Sequence, residues 1–328
     1  MQRLLVIVGL LALTPCADLN SQTIRREGII ALPPGASAST QLLPKTVTIC
    51  RSGERIAAIL SDKTVRVWEL PSGKLARTLD VAQPARAVEL SNDGRLLAVA
   101  DASGAVTVWN TNSWQAQEKL QSALPISVLA ISPDNQLVAT ASRIDDQVWN
   151  LTTGKHLATV RPAFGNSMAI SFSPDSTLLA TADADTAIRV YDARTGNLRS
   201  TASDLLLESL ALDFSPDGKS LFVGGAGKTI SIVDPRTGKI RDTLPKQSGT
   251  LRGLVASTDG EQIAAMYNLP DRFDEASISV ALLWDIGGRS VRTRFDKPGV
   301  GILGGAYENG HFLLISHSGR EFTIWSVQ

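Results

Sequence analysis

The chain has 328 residues, of which 43 % are hydrophobic and 20 % are charged. Its 32 basic and 32 acidic side chains give a net charge of zero, so charge provides no support for nucleic-acid binding or for attraction to an anionic membrane. The hydrophobic share is ample for a buried core. The two cysteines, Cys16 and Cys50, leave no disulfide framework, and a core of this size does not require one.

The first 17 residues have the composition of a secretory signal peptide. Arg3 precedes an apolar run over residues 4–13, and small residues follow it. The run is too short to cross a bilayer as a helix, so we expect no integral membrane span in the mature chain. Residues 13–16 (Leu-Thr-Pro-Cys) also resemble a bacterial lipoprotein box, although Pro15 replaces the usual small residue. We therefore rank plain export, to the periplasm or the outside, above a lipid anchor at Cys16.

The dominant feature of the remaining sequence is a repeat. An aromatic or apolar residue, mostly followed by a polar one, recurs in steps of 41, 40, 42, 42, 51 and 41 residues. The recurring positions are Trp68, Trp109, Trp149, Tyr191, Val233, Trp284 and Trp325. A period of this size indicates repeated copies of one supersecondary unit. Such an array favours a binding function over a catalytic one.

Each unit contains four short apolar or alternating stretches separated by turn residues. The first turn reads Ser-Pro-Asp-Gly or a variant, as at residues 215–218, and the third reads Thr-Gly-Lys, as at residues 153–155. Four strands joined by tight turns form one antiparallel sheet, which cannot bury both of its faces alone. The sequence therefore predicts an all-β fold, a seven-bladed β-propeller of four-stranded blades.

At this level the chain resembles the WD40 repeat family, over essentially everything after the signal peptide. Asp62 and Asp185, each six residues before an aromatic position, match the turn aspartate of that family, and Trp284-Asp285 is its full dipeptide. No Gly-His pair opens a unit, so the Asp-His-Ser-Trp network of the family is absent and apolar packing must supply the stability. The resemblance implies a non-enzymatic protein–protein interaction scaffold. Histidine-poor repeats behind a signal peptide are most similar to exported bacterial propellers.

Closure of the ring is also predicted. The last unit stops three residues after Trp325 and lacks a fourth strand, whereas residues 21–32 have strand character and no unit of their own. We expect this segment to complete the seventh blade and so to remove an open edge. The expected organisation is a signal peptide at 1–17, a closing strand and linker at 18–41, and the propeller at 42–328.

One unit carries a candidate partner-binding site. The sixth step is about nine residues too long, and the excess lies at residues 267–277, between the second and third strands of blade six. In the family this loop opens on the top face, where partners commonly dock. The candidate contacts are Tyr267, Leu269, Arg272 and Phe273, whose types are common in binding hot spots, and Trp114 in the third turn of blade two. The alternatives are an idle insertion and, for Trp114, packing on the neighbouring blade.

The sequence gives no clear set of catalytic, cofactor-binding or metal-binding residues. His311 and His317 share a strand face, but a solvated pair is favoured over a metal pair. Asp145-Asp146 and Asp183-x-Asp185 are explained as turn aspartates without calcium. We expect a monomer without cofactor that binds a protein or peptide. The rival hypotheses are a hydrolase-like or lactonase-like propeller enzyme that uses the central channel, and a glycan or envelope-polymer binder with Trp114 and Tyr267 as stacking residues.

Overall fold

The fold is a closed ring of antiparallel sheets, as predicted. The computed structural model describes residues 24–32, 46–81, 83–162, 167–203, 205, 209–226, 229–269, 278–297, 301–308, 310–317 and 321–327. These residues form 28 β-strands in seven four-stranded sheets, and they contain no helix. The predicted signal peptide at 1–17 lies outside them.

Blades one to four each consist of four strands that are consecutive in the chain. Blade one contains β2 (Val47–Ile49), β3 (Arg55–Ile59), β4 (Thr64–Glu69) and β5 (Lys74–Asp80). Blade two contains β6 (Ala85–Leu90), β7 (Leu96–Asp101), β8 (Ala105–Asn110) and β9 (Ala116–Gln121). Blade three contains β10 (Val128–Ile131), β11 (Leu137–Ala141), β12 (Asp146–Asn150) and β13 (His156–Val160). Blade four contains β14 (Ser167–Phe172), β15 (Leu178–Asp183), β16 (Ile188–Asp192) and β17 (Leu198–Ala202).

The last three blades follow the same order, but blade seven takes its outer strand from the N-terminus. Blade five contains β18 (Ser209–Phe214), β19 (Leu221–Gly225), β20 (Ile230–Val233) and β21 (Ile240–Thr243). Blade six contains β22 (Thr250–Ala256), β23 (Gln262–Leu269), β24 (Ile278–Asp285) and β25 (Ser290–Lys297). Blade seven contains β26 (Gly301–Glu308), β27 (His311–His317), β28 (Glu321–Val327) and β1 (Ile24–Ala31).

The inner strands of the blades surround a central channel. The strands β2, β6, β10, β14, β18, β22 and β26 contact one another in this order, and β26 contacts β2. Because successive strands alternate in direction, the first and third turns of every blade lie at one end of the ring, here called the lower face. The second turns and the connections between blades lie at the other end, here called the upper face.

The core is divided among the seams between neighbouring blades. Seven clusters of buried apolar side chains are present among the described residues, and each cluster draws on two adjacent blades. The second strands are mostly buried, and Leu137–Ala141 is buried at every residue, because neighbouring blades cover both faces of the sheet. Outer strands such as Lys74–Asp80 are largely exposed and carry charges, which protects an unpaired edge.

The lower-face turns share one construction. In blades two to six a serine hydroxyl donates to the aspartate two residues later, at 2.5–2.7 Å, and the aspartate accepts the backbone N–H two residues further on. The first turn of every blade also contains one residue of positive φ, namely Gly53, Gly94, Asn135, Ser176, Gly218, Gly260 and Gly310. Gly94 cannot readily be replaced, since an added Cβ would lie 3.2 Å from Cys50 Sγ of the preceding blade.

Neighbouring lower-face turns are also bonded to each other. The side-chain amide of Asn135 donates to Asp93 of the preceding blade at 2.8 Å. The backbone N–H of Asp134 donates to Ser176 Oγ of the following blade at 3.1 Å. The residues that adopt positive φ therefore also connect the blades, which explains why serine and asparagine are used there.

The recurring aromatic positions are structural. Trp68, Trp149, Tyr191 and Trp284 are buried, and Trp109 and Trp325 pack half-buried against seam clusters. In blades one to six the third strand has a register shift against the outer strand at this position. A bulge here turns the large side chain into the seam while the ladder continues on both sides.

Two blades keep one hydrogen bond of the family network. Trp149 Nε1 donates to Thr140 Oγ1 at 3.3 Å, and Trp325 Nε1 donates to Ser316 Oγ at 2.8 Å. In blade four the residue at the position of Thr140 is Thr181, whose buried hydroxyl has no partner in the described part of the chain. The reason is Tyr191, which stands where the other two blades have tryptophan and lacks the indole N–H.

The closing strand was predicted correctly. Strand β1 (Ile24–Ala31) pairs antiparallel with β28 and forms the outer strand of blade seven. The seam with blade one is filled by Ile30 and by an edge-to-face contact of Trp68 with Phe322, whose ring centroids are 5.8 Å apart. Strand pairing thus joins residues 24–31 to residues 321–327.

We expect that removal of residues 18–32 will lower the melting temperature by more than 10 °C. The truncation leaves the edge of β28 unpaired and exposes the apolar seam between blades seven and one, and a loss of several kcal/mol in a chain of this size shifts the melting point by roughly 2–4 °C per kcal/mol. Thermal unfolding followed by circular dichroism measures the shift. A truncated chain that melts with the full-length protein would contradict the closure account.

We also expect opposite results for two equivalent threonines. Replacing Thr140 by valine leaves the Trp149 N–H buried without a partner, which should cost about 1–3 kcal/mol of unfolding free energy. Replacing Thr181 by valine removes a hydroxyl that has no partner and should be neutral or stabilising. Urea unfolding of both variants measures the difference. Equal losses would show that the Trp149–Thr140 bond contributes nothing.

Candidate functional site

The segment between the second and third strands of blade six is shorter than the predicted insert at residues 267–277. Strand β23 ends at Leu269 and β24 begins at Ile278, both at the upper face, and residues 270–277 lie outside the described residues. Arg272 and Phe273 lie outside the described residues, as does the side chain of Leu269. Their role in partner binding stays a prediction.

Tyr267 is not part of that loop. It lies on β23 opposite Val280, its side chain is only 2 % exposed, and it packs in the cluster between blades five and six. Burial raises the pKa of its hydroxyl above the ordinary value. The prediction erred because β23 runs to Leu269 and includes the first three residues of the predicted insert, so Tyr267 is a core residue here and offers no stacking surface.

Trp114 follows the structural alternative considered for it. It occupies the third turn of blade two with φ of 55°, where a glycine would avoid the cost of the left-handed conformation. Its half-buried side chain packs against the cluster between blades one and two. The backbone N–H of Trp114 donates to the Asn110 carbonyl at 2.7 Å. This packing offsets the backbone strain and leaves Trp114 little free ring surface.

The histidines do not form a metal site. His311 and His317 are the two ends of β27, six residues apart, and a strand of that length separates them by about 20 Å. Burial lowers the pKa of His317. The described residues contain no group of three or more histidine, cysteine or acidic side chains arranged to hold a metal ion.

The central channel contains a cross-ring ion pair that the sequence did not predict. A cavity of about 460 Å³ is lined by residues from all seven inner strands or their turns. Near its lower end the guanidinium of Arg51, in blade one, donates to both oxygens of Asp213, in blade five, at 2.8 and 2.7 Å. Asp213 also accepts the buried N–H of Ala256, in blade six, at 3.0 Å. One carboxylate therefore connects three blades.

Charged side chains in and beside the third turns, on the lower face, form ion pairs. Asp192 and Asp285, which follow the recurring aromatic, pair with an arginine seven residues later at 2.7 and 2.6 Å. The arginine Arg199 and the hydroxyl of Thr195 lower the pKa of Asp192 to about 2. Asp234 makes the equivalent pair with Arg241. The acidic residue of the repeat thus stabilises a turn.

The turn aspartates of the upper face have the role that the resemblance implies. Asp62 and Asp185 each accept a backbone N–H two residues later at 3.1 Å. Each also pairs at 2.6 Å with an arginine four residues later, Arg66 and Arg189. These residues hold the second turns of blades one and four in fixed positions.

The second turn of blade three presents an apolar side chain to solvent. Ile144 is 65 % exposed, more than any other large hydrophobic side chain in the described part of the chain. The turn around it is rigid, because Ser142 Oγ donates to the Asp145 carbonyl at 2.8 Å and accepts the N–H of Asp145 at 3.2 Å. A fixed, exposed isoleucine beside the exposed Arg143 is suited to contact a partner.

The cross-ring ion pair gives a testable stability effect. Replacing Asp213 by asparagine removes the charge that faces Arg51 inside the channel, and we expect a loss of about 1–3 kcal/mol of unfolding free energy. The matched control replaces Asp296 by asparagine, since its pair with Arg294 is exposed on both sides and should be worth less than about 1 kcal/mol. Urea unfolding measures both, and equal effects would show that the channel pair adds nothing beyond a surface pair.

Comparison with known families agrees with this architecture. The family described as WD domain, G-beta repeat, matches residues 154–192, which run from the third turn of blade three to the end of β16, and residues 207–234 in blade five. No curated protein matches the chain. No helix in the described residues is long and apolar enough to cross a membrane. The family matches and the seven four-stranded blades together identify the chain as a WD40-repeat propeller.

Proposed function

We propose that this propeller is a non-enzymatic scaffold that binds a protein or peptide partner and acts outside the cytoplasm. The WD40 fold supports the scaffold role, because propellers of this kind bind protein partners. Export is supported by the composition of residues 1–17. The partner docks on the upper face.

The observation that carries the choice of face is the exposure of Ile144 in a rigid turn. On the lower face, the serine and aspartate side chains of the first turns are consumed by hydrogen bonds within their own turns. On the upper face, Ile144 is held in place before binding, so little conformational entropy is lost when it becomes buried. The strand ends that flank the blade-six insert, at Leu269 and Ile278, lie at the same face, and we assign Leu269, Arg272 and Phe273 to the same docking surface.

Partner capture with matched variants tests this proposal. Crosslinking in the native cell envelope, followed by mass spectrometry, compares the intact protein with Ile144→Asp and with a variant whose residues 270–277 are shortened. The control is Leu198→Asp, because Leu198 is 55 % exposed but lies on an outer strand. We expect the first two variants to lose the partner, with Ile144→Asp weakening binding by at least about tenfold, while the control retains it.

Other outcomes of the capture experiment are also decisive. A partner that is lost only with Leu198→Asp would place the site on the outer rim and contradict the upper-face proposal. If the intact protein captures no protein, the channel becomes the candidate for a small ligand, since Arg252 is exposed in it and has no ion-pair partner among the described residues. Such a ligand would enter from the upper face, because Arg51 and Asp213 cross the lower end.

A further inference from the structure

Three buried polar side chains meet at the upper end of the seam between blades three and four. Asp146 begins β12, Ser167 begins β14 and Asp183 ends β15. All three residues are fully buried. Turn chemistry explains Asp185 nearby, but it does not explain Asp146 or Asp183, because both contact Ser167, Asp183 within blade four and Asp146 from blade three.

The number of protons in this cluster can be counted from the distances. Ser167 Oγ lies 2.6 Å from Asp146 Oδ2 and 2.8 Å from Asp183 Oδ1, so both contacts have hydrogen-bond length. A hydroxyl group has one proton and can donate only one of these two bonds. The other bond therefore requires a proton on a carboxyl group, which donates to Ser167 Oγ.

The surroundings decide which carboxyl group is protonated. Asp183 faces the guanidinium of Arg189, which donates to its second oxygen and compensates its charge. Asp146 has no cation beside it among the described residues, and its Oδ1 is buried without a hydrogen-bond partner. Removing a carboxylate from water without a compensating charge is expensive, so the neutral form belongs on Asp146.

We propose that Asp146 carries a proton at neutral pH, shared through Ser167 with Asp183, and that its release to solvent loosens the seam between blades three and four. Burial raises the pKa of Asp146 to about 7, against the lowering effect of the Ser167 hydroxyl, and the negative charges of Asp183 and Asp145 raise it further. Asp146 thus titrates in a range where an ordinary aspartate is fully ionised.

The charged or titratable groups near Asp146 come from its own blade and from the adjoining strands of blade four. Asp145 directly precedes it in the chain, Asp183 faces it from blade four, and Arg189 is paired with Asp183 and Asp185. Tyr191 on β16 also senses the charge of Asp146, and burial raises the pKa of this tyrosine to about 12, so it stays neutral. The only cation of this set is already shared between Asp183 and Asp185.

Loss of the proton changes the hydrogen bonds at the seam. Asp146 then carries a second negative charge beside Asp183, and Ser167 can donate to only one of the two carboxylates. The ionised pair is relieved by separation of β12 from β14 and β15 or by entry of water. The apolar cluster of this seam, which includes Val148, Ile170 and Leu179, lies directly below. The exposed turn with Ile144 immediately precedes Asp146, so the change also acts on the upper face.

The linkage has a definite sign. An acid whose pKa is higher in the folded state than in the unfolded chain stabilises the fold fully below the unfolded pKa, near 4, and this contribution is lost as the pH rises toward 7. Urea unfolding at pH 5 and at pH 8 therefore tests the proposal. The variants are Asp146→Asn, whose amide can donate to Ser167 and does not titrate, and the neighbouring control Asp145→Asn.

We expect the folding equilibrium constant of the wild-type protein, relative to that of Asp146→Asn, to fall by about 10- to 100-fold between pH 5 and pH 8. The control Asp145→Asn should keep most of this pH dependence, because the charge of Asp145 is the smallest of the causes that raise the pKa of Asp146. Contributions of the histidines are common to all variants and cancel in the comparison. Hydrogen exchange at pH 8, corrected for intrinsic rates, should increase in β12, β14 and β15 but not in the distant seam between blades five and six. Parallel pH dependence of wild type and Asp146→Asn would overturn the proposal.

A second measurement decides the matter if Asp146→Asn does not fold. Carbon-13 NMR of the wild-type protein, labelled at its aspartate carboxyl groups, follows each titration directly. We expect one aspartate carboxyl with a midpoint above pH 6, and its signal should broaden or shift together with the amides of residues 146–148. If every aspartate titrates below pH 5, the proton is absent at neutral pH and the proposal is wrong.

Discussion

Every part of this structure depends on the fact that a blade cannot cover its own faces. Each four-stranded sheet is apolar on both sides in its second strand, and the only cover is the next blade. The stability of the fold therefore comes mainly from the seams between neighbouring blades. Seven blades form seven seams only when the ring is closed. The antiparallel pairing of β1 with β28 converts an open array with two exposed seam faces into a ring without ends. The ion pair of Arg51 with Asp213 adds a connection across the ring that no seam can provide.

Features that repeat within one unit could be predicted from the sequence, and features that depend on the closed ring could not. The strands, the Ser-x-Asp turns and the closing segment are local patterns that recur at a fixed period, so their positions follow from the period. Arg51 and Asp213 lie 162 residues apart, in different positions of their repeats, and only the radius of the ring brings them together. Tyr267 was misplaced because the second and third strands of blade six are longer than those of the other blades, which periodicity does not report.

Among the described residues, the indole N–H of the recurring tryptophan donates a hydrogen bond only in the blades whose second strand supplies a hydroxyl group. Blades three and seven have Thr140 and Ser316 at this place, whereas blades one, two and six have alanine or valine and rely on packing. Blade four has the threonine without the indole, and its upper end holds the buried Ser167 and Asp183, with Ser167 hydrogen-bonded to Asp146 of blade three. Blade four thus carries two departures from the repeat pattern, and such departures are where functional or strained sites are expected in an otherwise regular fold.

The acidic residues of the propeller divide into two groups with opposite effects on pH stability. Hydrogen bonds from Ser173 and Ser257 lower the pKa of Asp175 and Asp259, so these turns contribute stability above the ordinary aspartate pKa and lose it as the pH falls. Asp146 contributes in the other direction, because burial raises its pKa. The turn contributions are spread over several blades and are constant at neutral pH, whereas the contribution of Asp146 changes between weakly acidic and neutral pH. Among the aspartates with shifted pKa values, a change of pH in that range therefore acts through Asp146 on a single seam, next to the exposed turn of Ile144.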